Sequence, residues 1–169
     1  MPTFHGINHL TLTVTDIDVS ERFYTEVLDF LAVIDGGDNR VCLHPATGFI
    51  LGLRQHPSGT GAPFSELHTG LDHVGLAVED RDELVAWERR LAAAGATYTP
   101  IRDLELGHHL NFRDPDGIAL ELYAPNAVMA AALHAVRSGR MSHEDIAAFV
   151  EEHVGAAFVS RRRAAPTRP

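Results

Sequence analysis

The chain has 169 residues, 45% of them apolar and 22% charged, which suits one globular domain or two small modules sharing a core. Its 14 basic residues, all arginine, stand against 23 acidic ones, so the net charge is −9 and a nucleic-acid partner is disfavoured. No apolar run approaches the ~20 residues of a membrane span. The Met-Pro-Thr-Phe-His start and the single Cys42 are typical of a cytoplasmic protein.

The first half of the chain predicts a strand, a helix and three further strands. Residues 7–14 alternate between apolar and polar side chains, as a half-buried strand does, and residues 17–28 have helical spacing. Turn-forming segments separate the strands that follow at about 30–35, 40–44 and 48–54. Residues 55–69, which contain several prolines and glycines, are interpreted as a linker.

The second half repeats this order imperfectly. A strand at 71–78 precedes a helix over about 81–94, which Asp80 can cap. Further strands are predicted near 97–101, 108–113 and 117–123, so that each half reads β-α-β-β-β. We therefore expect an α+β fold in which residues 1–125 form one domain, with modules at about 5–55 and 70–124.

Residues 126–169 have no counterpart in the first half and predict a helical extension. Asn126 and Ser142 are suited to cap two helices, and the second helix has an apolar stripe that includes Ile146 and Phe149. We expect this pair to cover the body or a partner subunit. The basic run at 161–163 is expected to lie in a disordered end.

Three residues at repeat-like spacing predict a metal site. His9 and His73 occupy matching positions in the first strand of each half, and Glu121 lies in the middle of the last strand. A lone carboxylate among apolar neighbours is costly unless it is paired or binds a metal. Two imidazoles and one carboxylate are a ligand set that can hold a divalent ion and leave coordination positions open.

With the turn Asp114-Pro-Asp-Gly117 before Glu121, this pattern resembles the vicinal oxygen chelate superfamily, over roughly residues 5–124. That superfamily includes glyoxalase I, extradiol dioxygenases, fosfomycin-resistance thiol transferases and bleomycin-resistance proteins. The resemblance implies that two modules pair curved mixed sheets around a cavity, and that His9, His73 and Glu121 bind a metal inside it. Fe(II) is the favoured ion because of the two-histidine, one-carboxylate set, and Mn, Ni or Zn are the alternatives.

Differences between this chain and individual members of the superfamily narrow the range of activities that we expect. Gly52 aligns with the position where glyoxalase I has a fourth protein ligand, and Asn111 replaces the tyrosine usual in extradiol dioxygenases. Fosfomycin-resistance enzymes hold a phosphonate with lysine, serine and tyrosine, whereas this chain has no lysine and has His109 and Asn111 at the other two positions. The intact set of metal ligands also argues against pure drug sequestration of the bleomycin-resistance kind.

Strand alternation nominates further residues for the cavity. His109 is predicted to be the catalytic general acid or base, because imidazole titrates near neutral pH. Predicted substrate-binding residues are Thr11, which matches the opening of the fosfomycin-resistance enzymes, and Arg54, Asn111 and Tyr123, which share the faces of the metal ligands.

The sequence therefore predicts a divalent-metal-dependent enzyme that acts on a small oxygenated metabolite, with dioxygenation slightly favoured. A glyoxalase-like lyase or isomerase and a non-catalytic resistance protein that binds a small molecule are the alternatives. By resemblance to single-chain members we expect a homodimer, and the metal ligands come from one chain or from two. If the modules pair across the subunits, one chain contributes His9 and the other contributes His73 and Glu121. No nucleic-acid or membrane partner is expected.

Overall fold

The computed structural model describes residues 6–155, so the predicted disordered basic end lies outside the described residues. Module one begins the fold and has the predicted β-α-β-β-β order. Its elements are β1 (His9–Thr13), α1 (Ile17–Arg22), β2 (Leu31–Asp35), β3 (Asn39–Leu43) and β4 (Ile50–Arg54). A π-helical turn over Phe23–Val27 follows α1, so the single helix predicted at 17–28 is divided into two segments.

Module two repeats the order. Its elements are β5 (Val74–Ala77), α2 (Arg81–Ala93), β6 (Arg102–Leu104), β7 (Gly107–Arg113) and β8 (Ala119–Pro125). The strand predicted at 97–101 is wrong, because that segment contains only an isolated bridge between Tyr98 and Phe112, and the strand begins at Arg102. Pro100 lies in the segment and has no N–H to donate to a ladder.

Each module forms one four-stranded mixed sheet, which confirms the predicted α+β class. Sheet one has the order β1-β4-β3-β2, and sheet two has the equivalent order β5-β8-β7-β6. In both sheets the first and last strands of the module pair in parallel, and the other neighbours are antiparallel. The first strand of each module therefore lies directly beside the last.

One face of each sheet is buried in a core that the two modules share. In β4 the buried residues are Leu51 and Leu53, and in β8 they are Leu120, Leu122 and Ala124. They belong to a single cluster with the apolar residues of the helices. The opposite faces of the two sheets lie open in the chain, as the alternating burial along β1 and β8 shows.

The turn before β8 joins the modules through two buried carboxylates. Asp116 accepts hydrogen bonds from the backbone N–H and the hydroxyl of Thr15 in module one, and from the Ser20 hydroxyl at 3.4 Å. Asp114 accepts a hydrogen bond of 2.9 Å from the Tyr24 hydroxyl. Burial raises the pKa of Asp114, and the donors that contact its carboxylate oppose this effect.

The extension forms the two predicted helices, α3 (Ala127–Arg137) and α4 (His143–His153). Asn126 caps the first, and Ser142 forms a capping box with Asp145 in the second. Neither helix contains a buried residue, so the predicted apolar stripe with Ile146 and Phe149 is only half-buried. None of the helices within residues 6–155 is long and apolar enough to cross a lipid bilayer.

Replacement of Tyr24 by phenylalanine should destabilise the protein in a pH-dependent way. Loss of the hydroxyl removes a donor from the buried Asp114 carboxylate and should cost about 1–3 kcal/mol of unfolding free energy near pH 7. The pKa of Asp114, already raised by burial, should rise further. Because a raised folded-state pKa stabilises the protein only at low pH, the variant should lose more stability than the wild type as the pH rises above about 4.

Urea unfolding of the wild type and Tyr24→Phe at pH 4 and pH 7 measures this difference. Tyr98→Phe is the matched control, since Tyr98 is half-buried and its hydroxyl is not among the donors to the Asp114 carboxylate. An equal loss of stability at both pH values would show that the hydroxyl does not act through the charge of Asp114.

Candidate functional site

The predicted site residues are divided between the open faces of the two sheets. On sheet one, His9 pairs in register with Ile50 and Thr11 pairs with Gly52. On sheet two, Glu121 lies between Gly75 of β5 and Asn111 of β7. His9 on sheet one and Glu121 on sheet two therefore each lie on a strand of the parallel pair, β1 with β4 and β5 with β8. His73 is the residue immediately before β5.

The two candidate histidines are oriented in the same way. Nδ1 of His9 lies 2.9 Å from Oδ1 of Asn8, and Nδ1 of His73 lies 2.6 Å from Oδ1 of Asp72. An amide oxygen and a carboxylate are acceptors, so each ring donates from Nδ1. The lone pair is then on Nε2, and this is the arrangement in which a histidine binds a metal while a neighbouring oxygen fixes its ring.

Glu121 is the least exposed of the predicted ligands, with a side chain that is 15% exposed. Its Oε2 lies 2.8 Å from Nδ1 of His109, whose ring packs edge-on against Tyr123 with centroids 4.9 Å apart. The Tyr123 hydroxyl donates to the carbonyl of Leu106. Burial, with a smaller contribution from Glu121, raises the pKa of this hydroxyl. Tyr123 therefore presents its ring, rather than a free hydroxyl, beside Glu121.

The other predicted binding residues lie on the same two faces. Arg54 pairs in register with Thr13 and forms an ion pair of 3.1 Å with Asp38 across the end of the sheet. Thr11 is exposed and lies two residues after His9 on the same face of β1. Asn111 is half-buried and is the register partner of Glu121. The roles predicted for Arg54, Thr11 and Asn111 in binding substrate stay predictions.

A single chain does not bring the three predicted ligands together. Among residues 6–155, no group of three or more His, Cys, Asp or Glu side chains is close enough to hold a metal ion. The open face with His9 and the open face with Glu121 are thus two half-sites in one chain. The donor set itself, two imidazoles and a carboxylate, has the chemistry that a divalent metal requires.

Gly52 is required by close packing on the open face of sheet one. A Cβ atom at this position would lie 2.6 Å from Oγ1 of Thr11, closer than real Cβ contacts. In the equivalent pair of module two, the glycine is on the first strand and the larger side chain is on the last: Gly75 of β5 lies beside Glu121 of β8. The register thus confirms that Gly52 and Glu121 are equivalent positions, and that module one has no side chain where module two has its carboxylate.

Sequence reasoning missed the residues that orient the two histidines. Asn8 and Asp72 both directly precede the histidine that they contact, in the segments Asn-His and Asp-His. The repeat itself was the signal, since a short side chain with an acceptor oxygen stands at the same position in both copies. The sequence predicts that His109 lies in the cavity with Glu121, but it does not predict the contact between their side chains.

These features define a protein of two paired modules with a candidate metal centre. The model of the Glyoxalase/Bleomycin resistance protein/Dioxygenase superfamily matches residues 6–122. The chain belongs to this superfamily, and the resemblance predicted from its sequence is confirmed.

Two relatives from bacilli differ in their named activities. The metallothiol transferase FosB of Shouchella clausii is 30% identical over 122 residues, which cover 70% of this chain and 80% of that protein. MhqA of Bacillus subtilis, provisionally named a ring-cleaving dioxygenase, is 25% identical over 138 residues, and the match spans only 40% of its length.

Solved structures show the same fold. A glyoxylase/bleomycin resistance protein/dioxygenase domain from Frankia sp. EAN1pec is 39% identical with a TM-score of 0.69, covering 74% of this chain and 95% of that one. The fosfomycin resistance protein FosX of Listeria monocytogenes, solved with Mn(II) and sulfate, is 17% identical with a TM-score of 0.62. It covers 78% of this chain and 99% of its own, and at this identity it supports the fold alone.

Gly52→Ala should destabilise the protein because the added Cβ meets the Thr11 side chain, at a cost of about 1–3 kcal/mol. Thr11→Ala should relieve the clash, so the double variant should be more stable than the sum of the two single changes predicts. Chemical denaturation of the four proteins measures the coupling.

Gly75→Ala is the control for the loss of a strand glycine. A Cβ there would lie 3.9 Å from Oε1 of Glu121, which is an ordinary contact, so little effect on stability is expected. Equal destabilisation by Gly52→Ala and Gly75→Ala, with no coupling to Thr11, would contradict this account of the close packing.

Proposed function

We propose that this protein is a divalent-metal-dependent enzyme that acts on a small oxygenated metabolite, with His9, His73 and Glu121 as the metal ligands. One observation supports this proposal above all: each proposed ligand has one polar atom held by a neighbour and another left for a metal. Nδ1 of each histidine contacts Asn8 or Asp72, and Oε2 of Glu121 contacts His109. Such supporting contacts are characteristic of metal ligands.

The proposed site requires two chains. Because the described part of one chain contains no cluster of three ligands, we infer a homodimer in which the His9 face of one chain meets the Glu121 face of the other. A two-fold symmetric dimer would then contain two equivalent sites. The helices α3 and α4, which have no buried residue in their own chain, are available to cover the partner.

A bound divalent ion would supply Lewis-acid polarisation of substrate oxygens or, as Fe(II), a site for oxygen chemistry. The chain would supply the proton-transfer group. His109 is proposed for this role, because its Nδ1 faces Glu121 and its Nε2 is the ring atom that would accept or donate the substrate proton. Asn111 and Thr11 would orient the substrate through hydrogen bonds.

Dioxygenation is the reaction we favour, because two histidines and one carboxylate form the set typical of non-haem Fe(II) oxygenases. Gly52 stands where glyoxalase I has a fourth ligand, which disfavours the glyoxalase-like lyase. Thiol transfer is a second candidate, since FosB is 30% identical to the matched region. Oxygen uptake by the Fe(II)-loaded protein with catechols, compared with anaerobic consumption of a thiol together with an epoxide acceptor by the Mn(II)-loaded protein, separates the two reactions. In the second reaction the thiol sulfur bonds to an epoxide carbon, the ring C–O bond breaks, and the oxygen takes the proton.

Glu121→Gln should weaken metal binding strongly, because it replaces the only anionic ligand in the proposed set. Asp72→Ala should weaken binding by about 10–100-fold, since it removes the carboxylate that orients His73. Isothermal titration of the metal-free protein with Mn(II) gives both affinities.

The control is Glu151→Gln, which changes an exposed glutamate of α4. It should leave the affinity unchanged. Wild-type affinity in Glu121→Gln would exclude Glu121 as a ligand and, with it, the proposed function.

Complementation between variants should show that the ligands come from two chains. A His9→Ala chain and a Glu121→Ala chain, co-expressed with different tags and purified as a heterodimer, should form one intact site per dimer. Each variant homodimer should have none. If the metal content of the heterodimer is no higher than that of the two homodimers, the shared-site arrangement is wrong.

A further inference from the structure

Tyr123 lies two residues after the proposed ligand Glu121, on the same open face of sheet two. We propose that Tyr123 is a positioning residue, which holds the ring of His109 against Glu121 and so fixes the oxygen of Glu121 that is left for a metal. This inference rests on the proposed function. It gives Tyr123 a role other than the substrate binding predicted from the sequence.

Two contacts fix the ring of Tyr123. Its hydroxyl donates a hydrogen bond of 2.9 Å to the carbonyl of Leu106, in the turn between β6 and β7. The ring also lies directly over the backbone of Gly107, where an added Cβ atom would be 2.7 Å from Cε2 of Tyr123. A glycine within a strand often marks such a close approach. Because Gly107 pairs with Pro125, the tyrosine ring leans toward this end of the strands and away from Glu121.

The turn that accepts this hydrogen bond is itself held by the first residue of the C-terminal extension. The carbonyl of Leu106 also accepts from the backbone N–H of Asn126, at 3.1 Å. The side-chain amide of Asn126 donates to the carbonyl of Glu105 at 2.8 Å, and the amide oxygen caps α3. The Tyr123 hydroxyl is therefore anchored to a turn that two further hydrogen bonds fix in place.

His109 lies between the tyrosine ring and Glu121. It is the register partner of Tyr123 on β7, and the two ring centroids are 4.9 Å apart in an edge-on arrangement. Aromatic rings prefer this geometry to face-to-face stacking. Because the tyrosine ring occupies one side of the imidazole, the side chain of His109 extends along the strand to the other side. There its Nδ1 lies 2.8 Å from Oε2 of Glu121.

The contact with His109 makes the two oxygens of Glu121 different. Oε2 is held by His109, whereas Oε1 is the oxygen on the side of Gly75, where an added Cβ atom would lie 3.9 Å from it. Gly75 belongs to β5, the strand that begins immediately after His73. A ligand that is oriented before binding loses less freedom when a metal arrives. His109 thus acts directly on Glu121, and Tyr123 acts through His109.

The first test uses the metal-free protein, so its result does not depend on metal binding. NMR correlation of the imidazole nitrogens and their protons at about pH 8, where an ordinary imidazole is neutral, should show a hydrogen-bonded Nδ1–H of His109. His109→Leu identifies this signal by its loss. The signal should persist in Tyr123→Phe, which keeps the ring. It should disappear in Tyr123→Leu and Tyr123→Met, which remove the ring but keep an apolar side chain of sufficient size for the fold.

Titration calorimetry with Mn(II) measures the effect on the proposed ligand. His109→Leu should weaken binding about 10–100-fold, the usual range for a residue that contacts a metal ligand. Tyr123→Leu acts one contact further away and should weaken binding about 3–10-fold. In the His109→Leu background the same change should have no further effect, since the residue through which Tyr123 acts is absent. Tyr123→Phe should retain most of the affinity.

Tyr98→Leu is the matched control, because it removes another half-buried tyrosine ring of module two, whose strand contact is with Phe112. It should lower stability toward urea without changing the Nδ1–H signal or the Mn(II) affinity. A persistent Nδ1–H signal in Tyr123→Leu and Tyr123→Met would overturn the inference. The same holds if Tyr98→Leu weakens Mn(II) binding as much as Tyr123→Leu does, or if the effects of Tyr123→Leu and His109→Leu are additive.

The two tests separate this inference from the proposed function. A wild-type protein that binds no Mn(II), or wild-type affinity in Glu121→Gln, would overturn the proposed function. The NMR comparison of the metal-free proteins would still decide whether Tyr123 holds His109 against Glu121.

Discussion

The arrangement of the two modules depends on the buried carboxylates of the Asp114-Pro-Asp-Gly turn. Buried carboxylates are costly unless donors satisfy them. Asp116 accepts from Thr15 and Ser20 of module one. Asp114 accepts from Tyr24 of module one and from the backbone N–H groups of Asp116 and Ile118 in its own turn. The observed docking of the modules places donors of module one on both carboxylates. The same turn leads directly into β8, so the contact that joins the modules also fixes the position of Glu121. The docking buries the inner faces of both sheets in one core and leaves the outer faces open, which is the geometry that the proposed site requires.

Because the two open faces have different proposed ligands, one chain contains two different half-sites. A metal with protein ligands needs those ligands within a few ångströms of one ion, and the described part of the chain does not provide this alone. The local geometry nevertheless has the features of prepared ligands, since Asn8, Asp72 and His109 each hold one polar atom of a proposed ligand. Side chains that are oriented before binding lose less entropy when a metal arrives. A second copy of the chain is the simplest source of the missing half.

Features that follow from local sequence patterns could be predicted from the sequence, whereas features that depend on tertiary contacts could not. Alternation in β1 and β8 predicted which side chains share a face, and the caps Asp80, Asn126 and Ser142 predicted where three helices begin. The π-helical turn and the displaced β6 were missed, because in these segments the packing and the missing N–H of Pro100 override local preference. For the same reason the sequence could nominate His9, His73 and Glu121 but could not show that one chain keeps them apart.

The pseudo-symmetry of the modules explains why the proposed site has three ligands rather than four. His9 and His73 are equivalent, as are Gly52 and Glu121, and glycines with positive φ, Gly48 and Gly117, precede the last two at the same spacing. Two identical modules would place two histidines and two carboxylates around one ion. Here the second carboxylate is replaced by Gly52, and Thr11 occupies the space that a side chain there would need. In the proposed site this exchange removes one negative charge and leaves one more coordination position without a protein ligand.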